Sequence, residues 1–122
     1  MSKGKEHRKH KRFQAQKGVF VGVGPYCNKV GRLRDISMDG LAFRHVGTGD
    51  VSNGSYVDIF ISESDFYLSR LPIKIISDVE ILDETPTVST TMRRCRLRFE
   101  KLTDQQRAKL QGLIESHTIG EA

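Results

Sequence analysis

Between residues 13 and 99 the apolar residues recur mainly with a period of two, in short runs that leave no room for helices between them. Thr90–Phe99 is the clearest case. There Arg94, Arg96 and Arg98 alternate with Cys95, Leu97 and Phe99, which gives one wet face and one dry face. Ser55–Ser62 repeats the pattern, with Val57, Ile59 and Ile61 expected inward and Tyr56, Asp58 and Phe60 outward. Leu71–Ile81 carries it at Ile73, Ile75, Val79 and Ile81, and Lys17–Val23 and Leu41–Val46 are also β-rich. Val30–Ile36 departs from the rule. Val30, Leu33 and Ile36 do not share one parity, so a bulge or bend is expected near Arg34. Turn-forming segments at Gly24–Asn28, Met38–Gly40, Gly47–Gly54 and Asp83–Pro86 separate the runs. Six strands without intervening helices favour a mainly β fold, a small antiparallel barrel, because closing the sheet removes exposed edges.

One helix follows. Thr103 is placed as its N-cap, Gln106 three residues later completes a capping box, and Leu102 suits a hydrophobic staple. Leu110, Leu113, Ile114 and His117 form one stripe that should lie against the barrel, and Gly120–Ala122 is expected to fray. At 122 residues the chain fits one domain. No apolar run reaches the roughly 18 residues of a membrane span, and the charged start lacks a secretory core. A cytoplasmic protein is expected, with Cys27 and Cys95 as free thiols.

The net charge of +5 is unevenly spread. Residues 1–17 carry seven basic residues against Glu6 alone, whereas the remainder holds 13 basic and 14 acidic residues. The sequence therefore divides into a flexible basic tail over residues 1–12 and a nearly neutral body over 13–118. Within the tail, Arg8-Lys9-His10-Lys11-Arg12 offers two guanidinium forks suited to phosphate oxygens and to a guanine edge or face. Downstream, Asp35-Ile36-Ser37-Met38-Asp39-Gly40 offers a carboxylate that can accept from a guanine's N–H groups, a small hydroxyl, and a glycine that permits a turn or close ligand approach. Arginine for the anion and carboxylate for the base suggest a guanine nucleotide. Arg94-Cys95-Arg96-Leu97-Arg98 has the same arginine spacing, but its alternation reads as a strand's solvent face and as structural.

An Arg-x-x-x-Arg tail, a strand-like run and then Asp-x-Ser-x-x-Gly at a strand end together resemble the PilZ family, bacterial receptors for cyclic di-GMP. Leu41-Ala42-Phe43 resembles the family's strand after the glycine. Cys95–Phe99, Leu102-Thr103 and the helix resemble its last strand and C-terminal helix, so the likeness spans roughly residues 8–115. It implies a six-stranded PilZ-like barrel and a receptor, not an enzyme, with cyclic di-GMP as ligand held by Arg8, Arg12, Asp35, Ser37 and Gly40. It further implies a conformational change on binding and a downstream protein partner.

Other patterns carry less. Gly22-x-Gly24 is followed by Pro25 and no helix, so it is not a phosphate loop. His7, His10, His45 and His117 lack companions at ligand spacing, so neither a metal nor a cofactor is expected. Two rival functions stand behind the receptor. One is a small barrel that binds nucleic acid through its basic arm, for which Tyr56 and Phe60 share an outer face. The other is a PilZ-fold adaptor that binds only proteins.

Overall fold

The computed structural model describes residues 10–24, 29–46, 56–81 and 92–122. Expectations that fall on Arg8, on Cys27, or on the loops at 47–54 and 83–86 lie outside the described residues. The period-two runs form strands β2 (Val19–Gly24), β3 (Lys29–Ile36), β4 (Gly40–Val46), β5 (Tyr56–Ile61), β6 (Tyr67–Glu80) and β7 (Met92–Phe99). They are ordered β2-β5-β6-β7-β4-β3, all antiparallel, and a β2–β3 pairing closes the ring. This is the expected six-stranded barrel. Two further strands flank it: β1 (Phe13–Ala15) pairs with β3, and β8 (Thr118–Glu121) pairs with β1.

The expected bulge at Arg34 is present. Leu33 pairs with Phe43 and Asp35 with Ala42, so Arg34 is the extra residue and the strand's facing changes across it. A second irregularity, between Ile75 and Ser77, corrects the reading of β6. It shifts the parity, so Ile73 is buried as expected while Val79 is 45% exposed. Asp58 is a further correction, since it is buried rather than outward. The strand pairing shifts beside it, and its carboxylate accepts from Tyr67 Oη at 3.0 Å and from the Arg70 amide at 2.8 Å. Those bonds offset the cost of burying the charge.

Inward residues of all six barrel strands, among them Val21, Leu33, Phe43, Ile59, Leu71 and Leu97, make one core. Helix α1 (Asp104–Ser116) adds Leu110, Leu113 and Ile114 to it. Its N-terminus is the expected capping box. Thr103 Oγ1 accepts from the Gln106 amide, and Gln106 Oε1 accepts from the Thr103 amide, each at 3.0 Å. Gln106 Nε2 also donates to the carbonyls of Ser69 and Arg70, so the capping residue ties the helix to β6. Elsewhere in the barrel, buried Asp78 meets His45 Nε2 and Arg93 Nε, each at 3.2 Å. The expectation that Gly120–Ala122 frays is overturned. Gly120 pairs with Gln14, Glu121 with Phe13, and the Ala122 amide donates to the Arg12 carbonyl at 2.9 Å.

Candidate functional site

The Asp35–Gly40 segment is the hairpin between β3 and β4. The Ser37 amide donates to the Gly40 carbonyl at 2.9 Å and closes a two-residue loop over Met38 and Asp39. Ser37 is 2% exposed, and its hydroxyl oxygen accepts from the amides of Asp39 at 3.0 Å and Gly40 at 3.3 Å. Its first task is therefore to shape the turn. Gly40 has a steric reason to lack a side chain. A Cβ there would overlap the Leu97 carbonyl oxygen and sit 3.0 Å from Arg98 Cα on β7.

Asp35 lies one residue past the bulge, between Gln14 of β1 and Ala42 of β4. Its Oδ1 is shielded from solvent and has no hydrogen-bond partner among the described residues. A buried carboxylate oxygen without a donor is costly, and the deficit is relieved by any ligand that brings N–H groups to it.

The tail reaches the same turn. His10 Nδ1 lies 3.1 Å from Asp39 Oδ2, so a residue inside the Arg8–Arg12 motif touches one inside the Asp35–Gly40 motif. Sequence reasoning missed both, because His10 and Asp39 are not among the residues that define the two motifs and their pairing depends on how the two segments fold together. Arg12 is half-buried, with its carbonyl held by Ala122. Of the five expected ligand residues, the structure brings Arg12, Asp35, Ser37 and Gly40 to one end of β3 and β4, and Arg8 lies outside the described residues.

Strand register adds arginines that the sequence reading treated as structural. Ala42 pairs with Arg96, Gly40 with Arg98, and Arg98 in turn with Lys74. Pairing partners share a face, so Arg96 and Arg98 flank the patch that begins at Asp35 and Gly40. Ala42 itself is buried, and the two arginines offer guanidinium groups that suit phosphate oxygens beside Gly40. The barrel's near-neutral net charge concealed this segregation.

The aromatic residues behave differently. Phe60 stacks on Phe20 with centroids 5.9 Å apart, and Arg70 lies 5.3 Å above the Tyr56 ring. Tyr56 and Phe60, the two rings of the nucleic-acid reading, thus each have a neighbour within the protein and do not stack on one another. No grouping of three or more potential metal ligands occurs among the described residues, and no helix there is long and apolar enough to cross a membrane.

The chain is thus a closed antiparallel barrel with a C-terminal helix and an arginine-bearing arm laid against the first hairpin after the bulge. The PilZ domain family model matches residues 6–116, and the chain belongs to that family. Among solved structures it is similar to the PilZ domain with c-di-GMP of YcgR from Escherichia coli, at 19% identity and TM-score 0.66 over 92% of each chain. It is also similar to YcgR from Escherichia coli in complex with c-di-GMP (19% identity, TM-score 0.64, 89% of this chain and 45% of that one). A third likeness is to MrkH, described as a c-di-GMP-dependent transcription regulatory factor (14% identity, TM-score 0.65, 90% of this chain and 50% of that one). The chain thus spans about half the length of the latter two. No curated protein matches the sequence.

Proposed function

We propose that the chain is a receptor for cyclic di-GMP, held at the β3–β4 hairpin with Arg8 and Arg12 closing over it, and that the ordered arm is the surface a partner protein recognises. The observation that carries this reading is the buried Oδ1 of Asp35, unpartnered among the described residues, beside a turn to which the arm is already attached through His10 and Asp39. Asp35 accepts from the guanine N–H groups, Ser37 holds the hairpin in shape, and Gly40 keeps the surface low beside it. Arg8 and Arg12 meet phosphates and the guanine edge or face, with Arg96 and Arg98 bordering the same patch. The c-di-GMP of the YcgR structures, together with the c-di-GMP dependence named for MrkH, suggests the nucleotide's identity.

Calorimetric titration with cyclic di-GMP, with GTP and single-stranded RNA as controls, tests the reading. Saturable binding of the cyclic dinucleotide alone is expected. Arg8→Ala or Arg12→Ala should each weaken it by about 2–4 kcal/mol, while Lys3→Ala with Lys5→Ala should cost far less. Asp35→Ala should lower affinity and erode discrimination against cyclic di-AMP, whose adenine presents a different donor pattern. Equal losses from the arginine and lysine variants would indicate diffuse electrostatics and sink the proposal in favour of nucleic acid.

A further inference from the structure

Between the segment that joins β1 to β2 and the strands β3 and β4 lies a cleft of about 520 Å³ that uses none of Arg12, Asp35, Ser37 or Gly40, although Gln14 and Arg34, the neighbours of Asp35, line its near end. Four cations converge on it, Lys17, Arg32, Arg34 and Arg44, and no carboxylate lines it among the described residues. Phe20 and Met92 contribute apolar wall.

The arrangement is electrostatically unfavourable when empty of an anion. Arg32 pairs directly with Arg44, and Arg44 directly with Arg94, so three guanidinium groups stand in one cross-strand row. Like charges directly opposite one another destabilise a sheet. Burial, and then Arg34 and Arg94, lower the Arg44 pKa from its ordinary value. Arg44 Nε is shielded from solvent and has no hydrogen-bond partner among the described residues. Arginines that served only as a solvated face would extend into water and leave no donor buried.

We propose that this cleft is a second ligand site, separate from the Asp35 hairpin, and that it takes a small phosphorylated molecule with an aromatic or apolar body. The phosphate meets Arg32, Arg34 and Arg44 and satisfies the orphaned Nε, and the body lies along Phe20 and Met92. The volume lies within the range of small-molecule pockets, and a lone phosphate would fill only part of it.

The test follows arginine Nε–H resonances of the full ¹⁵N-labelled chain during titration with AMP, chosen because it lacks guanine. Adenosine and inorganic pyrophosphate serve as comparisons. AMP should shift the Arg32 and Arg44 signals saturably, adenosine should not shift them, and pyrophosphate should bind more weakly than AMP. Arg44→Gln should weaken AMP by at least about tenfold, the usual scale of a charge-assisted contact. Arg32→Gln, at an exposed position, should do the same without a folding penalty. Asp35→Ala should leave AMP binding intact while impairing cyclic di-GMP, which separates this site from the first. Shifts that climb linearly at every surface arginine, or AMP binding lost in Asp35→Ala and kept in Arg32→Gln, would overturn the proposal. Pyrophosphate binding as tightly as AMP would remove the aromatic or apolar body from it.

Discussion

Cys95 shows how strongly a single position can be set by what surrounds it. Its thiol is fully buried, and burial first, then the carboxylate of Asp78, pushes its pKa from 9.0 up to about 12. The thiol therefore stays protonated in the folded chain under conditions that ionise it when unfolded. The stability this lends is complete below pH 9.0 and is lost as pH climbs from there toward about 12, at about 1.4 kcal/mol per pH unit. Denaturant titrations between pH 8 and roughly 10.5 should show a shallower decline for Cys95→Ala than for the parent chain, since the variant lacks this group. Parallel declines would mean that other groups carry the alkaline instability. Alternation in Thr90–Phe99 was enough to place Cys95 in the core. The orphaned Oδ1 of Asp35 was not legible, because its isolation depends on the bulge at Arg34 and on β1 and β4 lying to either side.

Elements were legible where they carry their own signal. The six barrel strands follow from period-two alternation, and the helix from its cap and stripe, because both are local patterns that tertiary packing reinforces. Strand β8 has only Thr118–Glu121, with Ile119 its one large apolar residue, and owes its conformation to β1, about a hundred residues earlier. Asp58 alternated as an outward residue and is nonetheless buried, since Tyr67 and the Arg70 amide satisfy it from a neighbouring strand. The β3–β4 hairpin shows element and site constraining each other. Gly40→Ala would force a Cβ against the backbone of Leu97 and Arg98, atoms that cannot rotate away. It should destabilise the chain by roughly 1–3 kcal/mol, as overpacking does, and should weaken cyclic di-GMP binding through the displaced turn. Thermal melts and titration of the same variant check both effects. A stable Gly40→Ala variant would show that β4 and β7 can separate at this point without cost.

Across the whole molecule, residues 10–15 and strand β8 meet at the candidate site. The N-terminal arm passes from His10, at Asp39, through Arg12 into β1, and β1 is held on one side by β3 and on the other by β8. The last residues thus help to position an arginine of the proposed clamp: the Ala122 amide donates to the Arg12 carbonyl, and Lys11 lies 3.9 Å from Glu121. The exposed ion pair contributes little by itself, so the backbone ladder is the effective tie. Removing residues 119–122 should release that ladder while keeping Thr118, whose hydroxyl donates to the Ile114 carbonyl at the helix end. The truncated chain should retain its helical circular dichroism. Its β1 amides should exchange faster, and cyclic di-GMP affinity should fall by about 1 kcal/mol, roughly fivefold, because the ligand must then order an arm that β8 no longer holds. The complementary measurement is hydrogen exchange on the intact chain, where saturating ligand should protect residues 10–15 further. Unchanged affinity and unchanged β1 exchange after truncation would show that β3 alone positions the arm. A signal to a partner would then have to leave through the hairpin and the barrel face rather than through the paired β1 and β8.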